Sequence, residues 1–382
     1  MKDIAAATPT EPPPAGARRP SRKWARLMAS RGFQRWAARF PFTRKIVRAE
    51  GEAMFDLVAG FCHSQILQAF VRLELPQKLL REEMSLPALA QETRIPPDRL
   101  KVLLSGAIAL GLLKLRRTGY YALSRRGAAL AGVPGLSGMI DHHDILYLDL
   151  ADPVAFFRGE TETELADFWP YVFGAGGASN PETAARYSRL MADSQVLVAE
   201  DTLAMVDFSH ASHVMDVGGG TGAFLTALGQ AHRSVALTLF DLPAVAGAAE
   251  QRFRAASLAK TVDIVPGSFR DDALPQGADH ITLVRVLYDH TDDTVANLLK
   301  SVFAALPAGG RIIISEPMTG GEEPQKAGDA YFALYCMAMR TGRARSSAEI
   351  GALLTDAGFG EISQPRAPRP YVTSVIVGVK PD

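Results

Sequence analysis

Three consecutive residues that can exchange protons, Tyr288, Asp289 and His290, follow a hydrophobic segment in the second half of the chain. Imidazole has the pKa nearest neutrality of the three side chains, so it is the best suited to accept a proton near pH 7. We therefore predict His290 as the base and Tyr288 as a hydrogen-bond partner that orients the reacting group. A turn in which Asp292 or Asp293 caps the next helix is the structural interpretation, and it is compatible with the catalytic one.

A glycine-rich run from Asp216 to Gly222, Asp-Val-Gly-Gly-Gly-Thr-Gly, stands where a predicted strand meets a predicted helix. Glycines such as Gly218 and Gly220 allow a tight turn and let the backbone approach a ligand closely. Read as Gly-x-Gly-x-x-Ala, the run also satisfies the dinucleotide fingerprint. By itself it therefore does not distinguish NAD from S-adenosylmethionine.

A second candidate cofactor site, Asp241-Leu242, follows the next predicted strand, about 20 residues after the glycine run. An acidic side chain at this spacing can accept hydrogen bonds from both ribose hydroxyls of an adenosine ligand. Four features favour S-adenosylmethionine: the acidic residue before the glycines, a nucleotide-binding fold that comes second in the chain, a winged-helix-like domain before it and an antiparallel hairpin after it. The residues that we assign to this cofactor are Asp216, Gly218, Gly220, Asp241 and Leu242.

The second half of the chain alternates strands and helices, which is typical of a doubly wound α/β sheet. The predicted strands are 213–217, 236–241, 262–265, 280–287 and 311–316. Two further strands, 361–365 and 373–379, have no helix between them and predict a closing antiparallel hairpin. This combination is more typical of methyltransferases than of dehydrogenases, so we predict a Rossmann-like methyltransferase sheet.

Residues 54–130 carry the pattern of helices followed by a hairpin, with a break at Pro96-Pro97 and a hairpin turn at Gly119. This arrangement is that of a winged helix, which often binds DNA through a basic recognition helix. Here the second helix has only Arg99 and Lys101 at its start and is otherwise almost wholly apolar. We therefore favour a mainly helical dimerisation domain over a DNA-binding one.

The composition is ordinary for a soluble globular protein, with 47% hydrophobic residues, 21% charged residues and a formal net charge of zero. A neutral chain is not expected to bind nucleic acid by bulk electrostatics. Two distant cysteines, Cys62 and Cys336, fit a reducing compartment. No run reaches the ~18–20 uninterrupted apolar residues of a spanning helix, and the N-terminus lacks a secretory signal. We expect a protein that is cytoplasmic or lies on the inner face of a membrane.

The N-terminal segment differs in charge from the rest of the chain. Its first 50 residues carry twelve Lys/Arg and three Asp/Glu, a net charge of +9, so a basic leader precedes an acidic body. Residues 1–20 are rich in proline and are predicted to be disordered. Over 21–48, aromatic residues alternate with basic ones at near-helical spacing. Such a segment suits a helix in a membrane interface or an arm packed on a partner subunit, and the sequence leaves both interpretations open.

The segment 331–339 is rich in aromatic and sulfur-containing side chains. As a helix it is apolar on nearly all sides, so it belongs to a core or to the wall of an apolar pocket. The adjacent His142 and His143 point in different directions on a helix, and we predict no metal site. The residues that we assign to the substrate pocket are Phe332, Tyr335, Met337 and Met339.

From about residue 55 onward the chain resembles the O-methyltransferase family that includes caffeate, flavonoid and hydroxyindole methyltransferases. The resemblance rests on the glycine run, Phe-Asp-Leu-Pro at 240–243, Gly-Arg-Ala-Arg-Ser at 342–346 and Ala-Gly-Phe at 357–359. Members typically dimerise through the N-terminal domain, so the resemblance implies a homodimer. It also implies that Ser268 and Phe269 flank the adenine, although the family usually has Asp at the first of these positions. Arg285 would take the place of a lysine that the family often has at the preceding position.

The family reads Leu-His-Asp-Trp where this chain reads Leu-Tyr-Asp-His at 287–290. The usual base is therefore replaced by Tyr288, and a histidine appears two residues later. Together with the basic aromatic leader, this variant resembles the carotenoid branch of the family. The resemblance implies an apolar acceptor and methylation of the C1 tertiary hydroxyl of an acyclic carotenoid.

These patterns predict four segments: a disordered leader over 1–20, a basic aromatic arm over 21–50, a winged-helix-like dimerisation domain over 51–185 and an S-adenosylmethionine-binding domain over 186–382. Two other functions stay open. One is a C-methyltransferase that acts on a tetrapyrrole or another small apolar acceptor. The other is a cofactor-binding regulator that uses the winged helix to bind DNA.

Overall fold

A computed structural model of the chain describes residues 22–168 and 181–382, with side chains over 23–166 and 193–382. The predicted disordered leader, residues 1–20, lies outside the described residues. The chain divides into two units, Met1–Leu67 and Gln68–Asp382. The helices at its start are α1 (Arg22–Ala29), α2 (Arg31–Arg39) and α3 (Arg44–Arg72).

Aromatic side chains of the first unit contact one another along α1 and α2. Trp24 meets Phe33 edge-on with 6.5 Å between ring centroids, and Trp36 stacks on Phe40 at 4.8 Å. Helix α3 is long and apolar enough to cross a membrane, by length and composition only. The expectation from uninterrupted apolar runs missed this property, because single polar residues such as Asp56 divide the apolar stretches of α3.

The second unit opens with short helices and a three-stranded antiparallel sheet of order β1-β3-β2. Leu100, Leu104 and Ala107 are fully buried, so the apolar period of the second predicted helix marks its packed face. Gly119 has a φ of 82° in the hairpin turn, as the sequence predicted. The elements are α4 (Leu75–Arg81), β1 (Met84–Ser85), α5 (Leu86–Thr93), α6 (Pro97–Ala109), β2 (Leu113–Leu115), β3 (Tyr120–Leu123) and α7 (Arg125–Gly132).

Among the residues that the structure describes, four helices lie between this region and the large sheet in the chain. The Asp149 carboxylate accepts the backbone N–H groups of Glu164 and Leu165, at 2.7 and 3.1 Å, and so joins the end of one helix to the start of another. These helices are α8 (Leu136–Asp149), α9 (Pro153–Phe157), α10 (Glu164–Phe168) and α11 (Pro181–Met205).

In the part of the chain that the structure describes, the large sheet has seven strands in the order β6-β5-β4-β7-β8-β10-β9. Its first five strands pair in parallel, whereas β10 pairs antiparallel with both β8 and β9. The central strand β7 is buried along its whole length, as expected for a sheet with helices on both faces. The predicted fold class is therefore confirmed. The elements are β4 (His213–Val217), α12 (Ala223–Ala231), β5 (Ala236–Asp241), α13 (Pro243–Ala255), β6 (Val262–Pro266), β7 (His280–Val284), α14 (Asp292–Ala305), β8 (Arg311–Glu316), α15 (Ala333–Met339), α16 (Ser347–Asp356), β9 (Gly360–Ser363) and β10 (Ser374–Val379).

One predicted strand is wrong at its end. The fourth strand of the sheet was expected over 280–287, but it stops at Val284. Arg285 adopts a left-handed φ of 61°, and a 3₁₀ turn follows over Leu287–Asp289. The backbone N–H groups of Leu287 and Tyr288 bond to the Glu316 carboxylate instead of a strand. The proton-exchanging residues therefore lie on a turn at the carboxyl edge of the sheet, where open parallel sheets bind ligands.

The glycine that begins α12 is a test of the packing behind this edge. Gly222 has a φ of 74°, and a Cβ added there would overlap the ring of Phe253. Replacing Gly222 with Ala is expected to lower the free energy of unfolding by more than the ~1–2 kcal/mol of a left-handed alanine. The matched variant is Gly247→Ala, since Gly247 lies in helix α13 with open space around it. That variant should keep or raise the melting temperature. Equal melting temperatures would contradict the packing described.

Candidate active site

The glycine run forms the turn between β4 and α12. Gly218 and Gly220 have φ values of 71° and 58°, a region that residues with a side chain rarely adopt. The N–H of Gly218 donates to the carbonyl of Phe240 at 2.9 Å, which ties the turn to strand β5. A Cβ at Gly220 would meet nothing within 4 Å, so the backbone there borders open space. The turn therefore offers the close approach that a cofactor needs.

Asp241 ends strand β5 beside this turn. One carboxylate oxygen accepts the N–H of Gly220 and the other accepts the N–H of Leu242, both at 2.6 Å. Burial raises the pKa of Asp241, and the two hydrogen bonds oppose that rise. Each oxygen has a further lone pair that can accept a hydrogen bond from a hydroxyl group. The residues present thus fit the ribose of an adenosine cofactor.

Asp216 lies under the turn. It is fully buried, and one of its oxygens accepts a hydrogen bond from the Thr282 hydroxyl at 2.6 Å. A Cβ added to Gly219 would overlap the other oxygen, so the glycine is needed for close packing on the carboxyl group. Burial raises the pKa of Asp216 to about 7 against the effect of Thr282. These contacts assign Asp216 a supporting position beneath the turn, and its direct contact with a cofactor stays a prediction.

Phe269 stands close to the glycine turn, whereas Ser268 faces a loop. A Cβ at Gly218 would lie 3.9 Å from the Phe269 ring, and the ring meets His290 edge-on at 5.2 Å. The Ser268 hydroxyl donates to Asp271 at 2.9 Å, and its N–H donates to Asp272 at 2.8 Å. The position of Phe269 agrees with an adenine wall, while the described contacts of Ser268 hold its own loop.

His290 is buried at the cofactor side of the turn. A guanidinium nitrogen of Arg270 donates to its Nδ1 at 3.0 Å. Burial, with the positive charges of Arg270 and Arg345, lowers the pKa of His290 to about 4. A guanidinium can only donate, so the neutral ring carries its proton on Nε2. In this tautomer His290 is a donor at its second nitrogen, which weighs against the predicted role as base.

Tyr288 points to the other side of the same turn. It is buried against Phe332 and Cys336, and its hydroxyl oxygen accepts a hydrogen bond from Arg285 at 3.2 Å. Burial raises the pKa of Tyr288, so the phenol stays protonated. Arg285 also donates to the Ser194 hydroxyl at 2.7 Å. These contacts direct Arg285 toward Tyr288 and Ser194, and its contact with the cofactor stays a prediction.

Two residues that the sequence interpretation did not single out hold this turn. Arg345 is fully buried and donates to the carbonyls of Leu287 and His290, at 2.8 and 2.9 Å. It also pairs with the Asp292 carboxylate at 2.6 Å. From the interior, Glu316 accepts two N–H groups of the turn, and burial raises its pKa to about 7. The Gly-Arg-Ala-Arg-Ser motif could have pointed to Arg345. For Glu316 the sequence offered only its position at the end of a predicted strand.

The aromatic segment begins as a π-helical stretch, Lys326–Phe332, and continues as α15. Tyr335 and Met339 are buried in one cluster with Leu146, and Phe332 packs on the Tyr288 cluster. Met337 is instead 48% exposed. Residues two apart on a helix do not share a face, so the structure separates Met337 from the other predicted pocket residues. Among the described residues, no group of three or more His, Cys, Asp or Glu side chains is placed to hold a metal ion.

Comparisons with known proteins identify the family of the chain. Residues 147–360 match the model of the O-methyltransferase domain, and residues 55–132 match that of the O-methyltransferase dimerisation domain. The chain is 55% identical to the demethylspheroidene O-methyltransferase of Cereibacter sphaeroides, over 97% of this chain and 98% of that protein. It is 52% identical to the protein of the same name from Rhodobacter capsulatus, over 92% of this chain and 88% of that protein.

Solved structures share the fold. The S-adenosylmethionine-dependent methyltransferase SibL in its apo form has a TM-score of 0.73 and 26% identity, over 86% of this chain and 99% of that chain. Human N-acetylserotonin methyltransferase in complex with SAM has a TM-score of 0.72 and 22% identity, over 87% and 98% of the two chains. At 22% identity, the likeness to the human protein shows the fold alone.

The variant His290→Ala distinguishes two roles of this side chain, support of cofactor binding through Phe269 and the base of the reaction. The contact with Phe269 predicts weaker binding of S-adenosylmethionine, by about tenfold in Kd or ~1.4 kcal/mol, with a smaller effect on turnover. The base hypothesis predicts the reverse, a loss of at least ~10²-fold in kcat at an unchanged Kd. Calorimetric titration and saturating kinetics give the two quantities. His210→Ala, at an exposed position, is the control and should change neither.

Proposed function

The chain belongs to the O-methyltransferase family and is an S-adenosylmethionine-dependent enzyme, and from this premise we propose that it methylates the hydroxyl of an acyclic carotenoid. The observation that carries the acceptor class is the 55% identity to a demethylspheroidene O-methyltransferase across almost the whole of both chains. The acceptor atom that we propose is the oxygen of the C1 tertiary alcohol. C-methylation of a tetrapyrrole and DNA-binding regulation are not favoured by these relatives.

In direct methyl transfer the protein itself forms no covalent bond to the reactants. When bound, S-adenosylmethionine supplies a methyl group on a positively charged sulfur, which is an already activated donor. The protein must hold the acceptor oxygen in line with that methyl group, and it must receive the proton of the acceptor hydroxyl. A tertiary alcohol is a very weak acid, so its proton leaves while the new bond forms. The glycine turn, Asp241 and Phe269 are the residues that we assign to holding the cofactor.

An apolar wall supports the choice of a polyene acceptor. Leu146 of α8 and Phe156 of α9 are buried with Tyr335 and Met339 of α15, and Leu165 of α10 completes the cluster. Side chains without charge suit a hydrocarbon chain, because burying it removes apolar surface from water at little polar cost. We assign half-buried Phe332, beside the turn that carries Tyr288, to binding the chain of the acceptor, with this buried cluster packed behind it.

The dimerisation-domain match supports a homodimer, and it begins within helix α3. Several large apolar side chains of that helix are exposed in the single chain. We propose that the partner subunit covers them, because contiguous exposed apolar side chains are rare on stable monomers. These side chains are Met54, Phe55, Leu57, Val58 and Phe61.

For the arm over residues 21–48 we propose contact with an anionic membrane surface. Trp24 is 53% exposed, Trp36 is 51% exposed and Phe42 is 83% exposed. Basic side chains such as Arg26 and Arg35 are exposed on the same short helices. Aromatic rings among cationic residues favour the headgroup boundary, where a lipid-soluble acceptor would also be found. We propose that the enzyme is cytoplasmic and peripheral to the inner face of the membrane.

The acceptor is tested by mass spectrometry of the products after incubation with labelled S-adenosylmethionine and detergent-dispersed hydroxycarotenoids. We expect one labelled methyl ether on the carotenoid. The matched control is the same polyene without the hydroxyl group, which should remain unlabelled. A label on a tetrapyrrole, or no transfer by protein that binds the cofactor, would reject the carotenoid proposal.

The arm is tested by co-sedimentation of the full chain with vesicles that contain anionic lipid. Trp24→Ala/Trp36→Ala should lower the bound fraction severalfold, and added salt should lower that of the parent chain, because exposed charges are screened. Phe157→Ala, at a 64% exposed site outside the arm, is the matched control and should bind normally. Normal vesicle binding by the double variant with a loss of the dimer in ultracentrifugation would assign the arm to the partner subunit instead.

A further inference from the structure

Two histidine–tyrosine pairs connect helix α8 to the aromatic segment. His142 Nε2 lies 2.8 Å from the Tyr335 hydroxyl, and His143 Nε2 lies 2.7 Å from the Tyr331 hydroxyl. The members of each pair are almost 200 residues apart in the chain, so only the fold brings them together. Adjacent histidines that face two different phenols give this part of the structure two separate polar contacts in an otherwise apolar wall.

The two pairs differ in burial. His142 and Tyr335 are buried, with 2% and 7% of their surface exposed. His143 and Tyr331 are half-buried, so this pair is less enclosed than the first. The positive charge of Arg285 acts on the Tyr331 phenol and opposes the rise of its pKa to about 12 that burial causes. The Tyr331 ring contacts Phe332 at 5.0 Å, and Phe332 packs on Tyr288, so the His143–Tyr331 pair lies near the turn at which the acceptor is expected.

We propose that Tyr331 and His143 form the proton relay of the methyl transfer, with Tyr331 against the acceptor hydroxyl and His143 behind it. This inference rests on the proposed O-methylation of an alcohol. It fills the role that the Leu-Tyr-Asp-His sequence leaves open, because the Tyr288 oxygen already accepts a hydrogen bond from Arg285, whereas Tyr331 has a histidine nitrogen at 2.7 Å that can receive its proton. His290 is occupied by Arg270 at Nδ1 and carries its proton on the other nitrogen.

The acceptor oxygen forms a bond to the methyl carbon while the bond from that carbon to sulfur breaks and its electron pair stays on sulfur. The O–H bond of the acceptor breaks, and its proton goes to the Tyr331 oxygen. The phenol proton of Tyr331 goes to Nε2 of His143, which becomes a cation and later releases a proton to water. Tyr331 is the residue that touches substrate, and His143 acts through it.

The surroundings of His143 suit a proton acceptor that starts neutral. Burial lowers its pKa below the usual 6.5, and the negative charge of Asp144 opposes that change. Asp144 and Asp141 are themselves paired with Arg72 of helix α3, at 2.9 and 2.6 Å. On its own helix the His143 ring meets Tyr147 edge-on at 6.4 Å. From outside its own helix, the charged and titratable groups described near the His143 ring are Tyr331, which bonds to it, and Arg285, whose charge acts on Tyr331.

The test is one substitution at each end of the relay, read as kcat against pH with saturating cofactor. In the parent enzyme kcat should fall as the pH drops through the pKa of His143, below 6.5, because the protonated imidazole cannot accept a second proton. His143→Gln can still accept a hydrogen bond from Tyr331 but cannot take up its proton. It should lower kcat by about 10²-fold, leave KM within about threefold and remove the acid limb, and Tyr331→Phe should do the same.

A structural role would give a different pattern. If His143 only positions Tyr331, the glutamine variant keeps that hydrogen bond and should retain both kcat and the acid limb, which would overturn the relay. His142→Asn is the matched control and should keep the acid limb. A parent enzyme that transfers no methyl group would reject the proposed function, whereas active parent and glutamine variants with the same pH profile would reject the relay alone.

A readout without turnover tests the direction of the hydrogen bond. In NMR titration of the cofactor-free protein, Tyr331→Phe should raise the pKa of His143, because the phenol donates to the neutral ring and so stabilises it. The same pKa in both proteins would show that Tyr331 does not donate to His143 and would overturn the relay.

Discussion

The buried guanidinium of Arg345 fixes the turn on which the chemistry of this site depends. It donates to the carbonyls at both ends of the turn, Leu287 and His290, and its charge is balanced by Asp292 at the start of the next helix. Glu316 accepts the N–H groups of the same turn from the interior. A backbone group of the turn that is buried without a partner would cost about 1–3 kcal/mol.

A turn held in this way sends neighbouring side chains to opposite sides. Tyr288 faces Arg285 and the aromatic segment, whereas His290 faces Phe269 and Arg270 beside the glycine turn. The site thus has a cofactor side, built from loops that follow β4, β5 and β6, and an acceptor side, built from α8 and α15. The residue that replaces the family histidine and the histidine that follows it do not act as a directly bonded pair.

The acceptor side combines an apolar wall with a few buried polar groups. Tyr288, Tyr331 and Tyr335 all have raised pKa values because they are buried, and each hydroxyl has a hydrogen-bond partner. Phenols that stay neutral can lie against a hydrocarbon and still donate or accept a hydrogen bond. This chemistry fits a long apolar acceptor with one hydroxyl group at the end that reacts.

The sequence by itself determined the fold class, the glycine turn, the acidic residue after the second strand and the helix–hairpin domain before them. These features are local: glycines at positive φ, strand and helix periods and short spacings are properties of consecutive residues. It also indicated the exchange of Tyr288 for the family histidine. The sequence did not predict where the fourth strand ends. The carboxylate of Glu316, which lies on another strand, replaces the strand hydrogen bonds at that point.

Only the tertiary structure decided how the proton-exchanging residues are shared between the two sides of the site. Arg270 fixes the tautomer of His290, Arg345 holds the turn, and His143 meets Tyr331 across 188 positions of the chain. None of these contacts follows a spacing that a periodic pattern can predict. The physical reason is that the protonation state and hydrogen-bonding role of a buried group depend on its neighbours in space, which the order of residues along the chain does not specify.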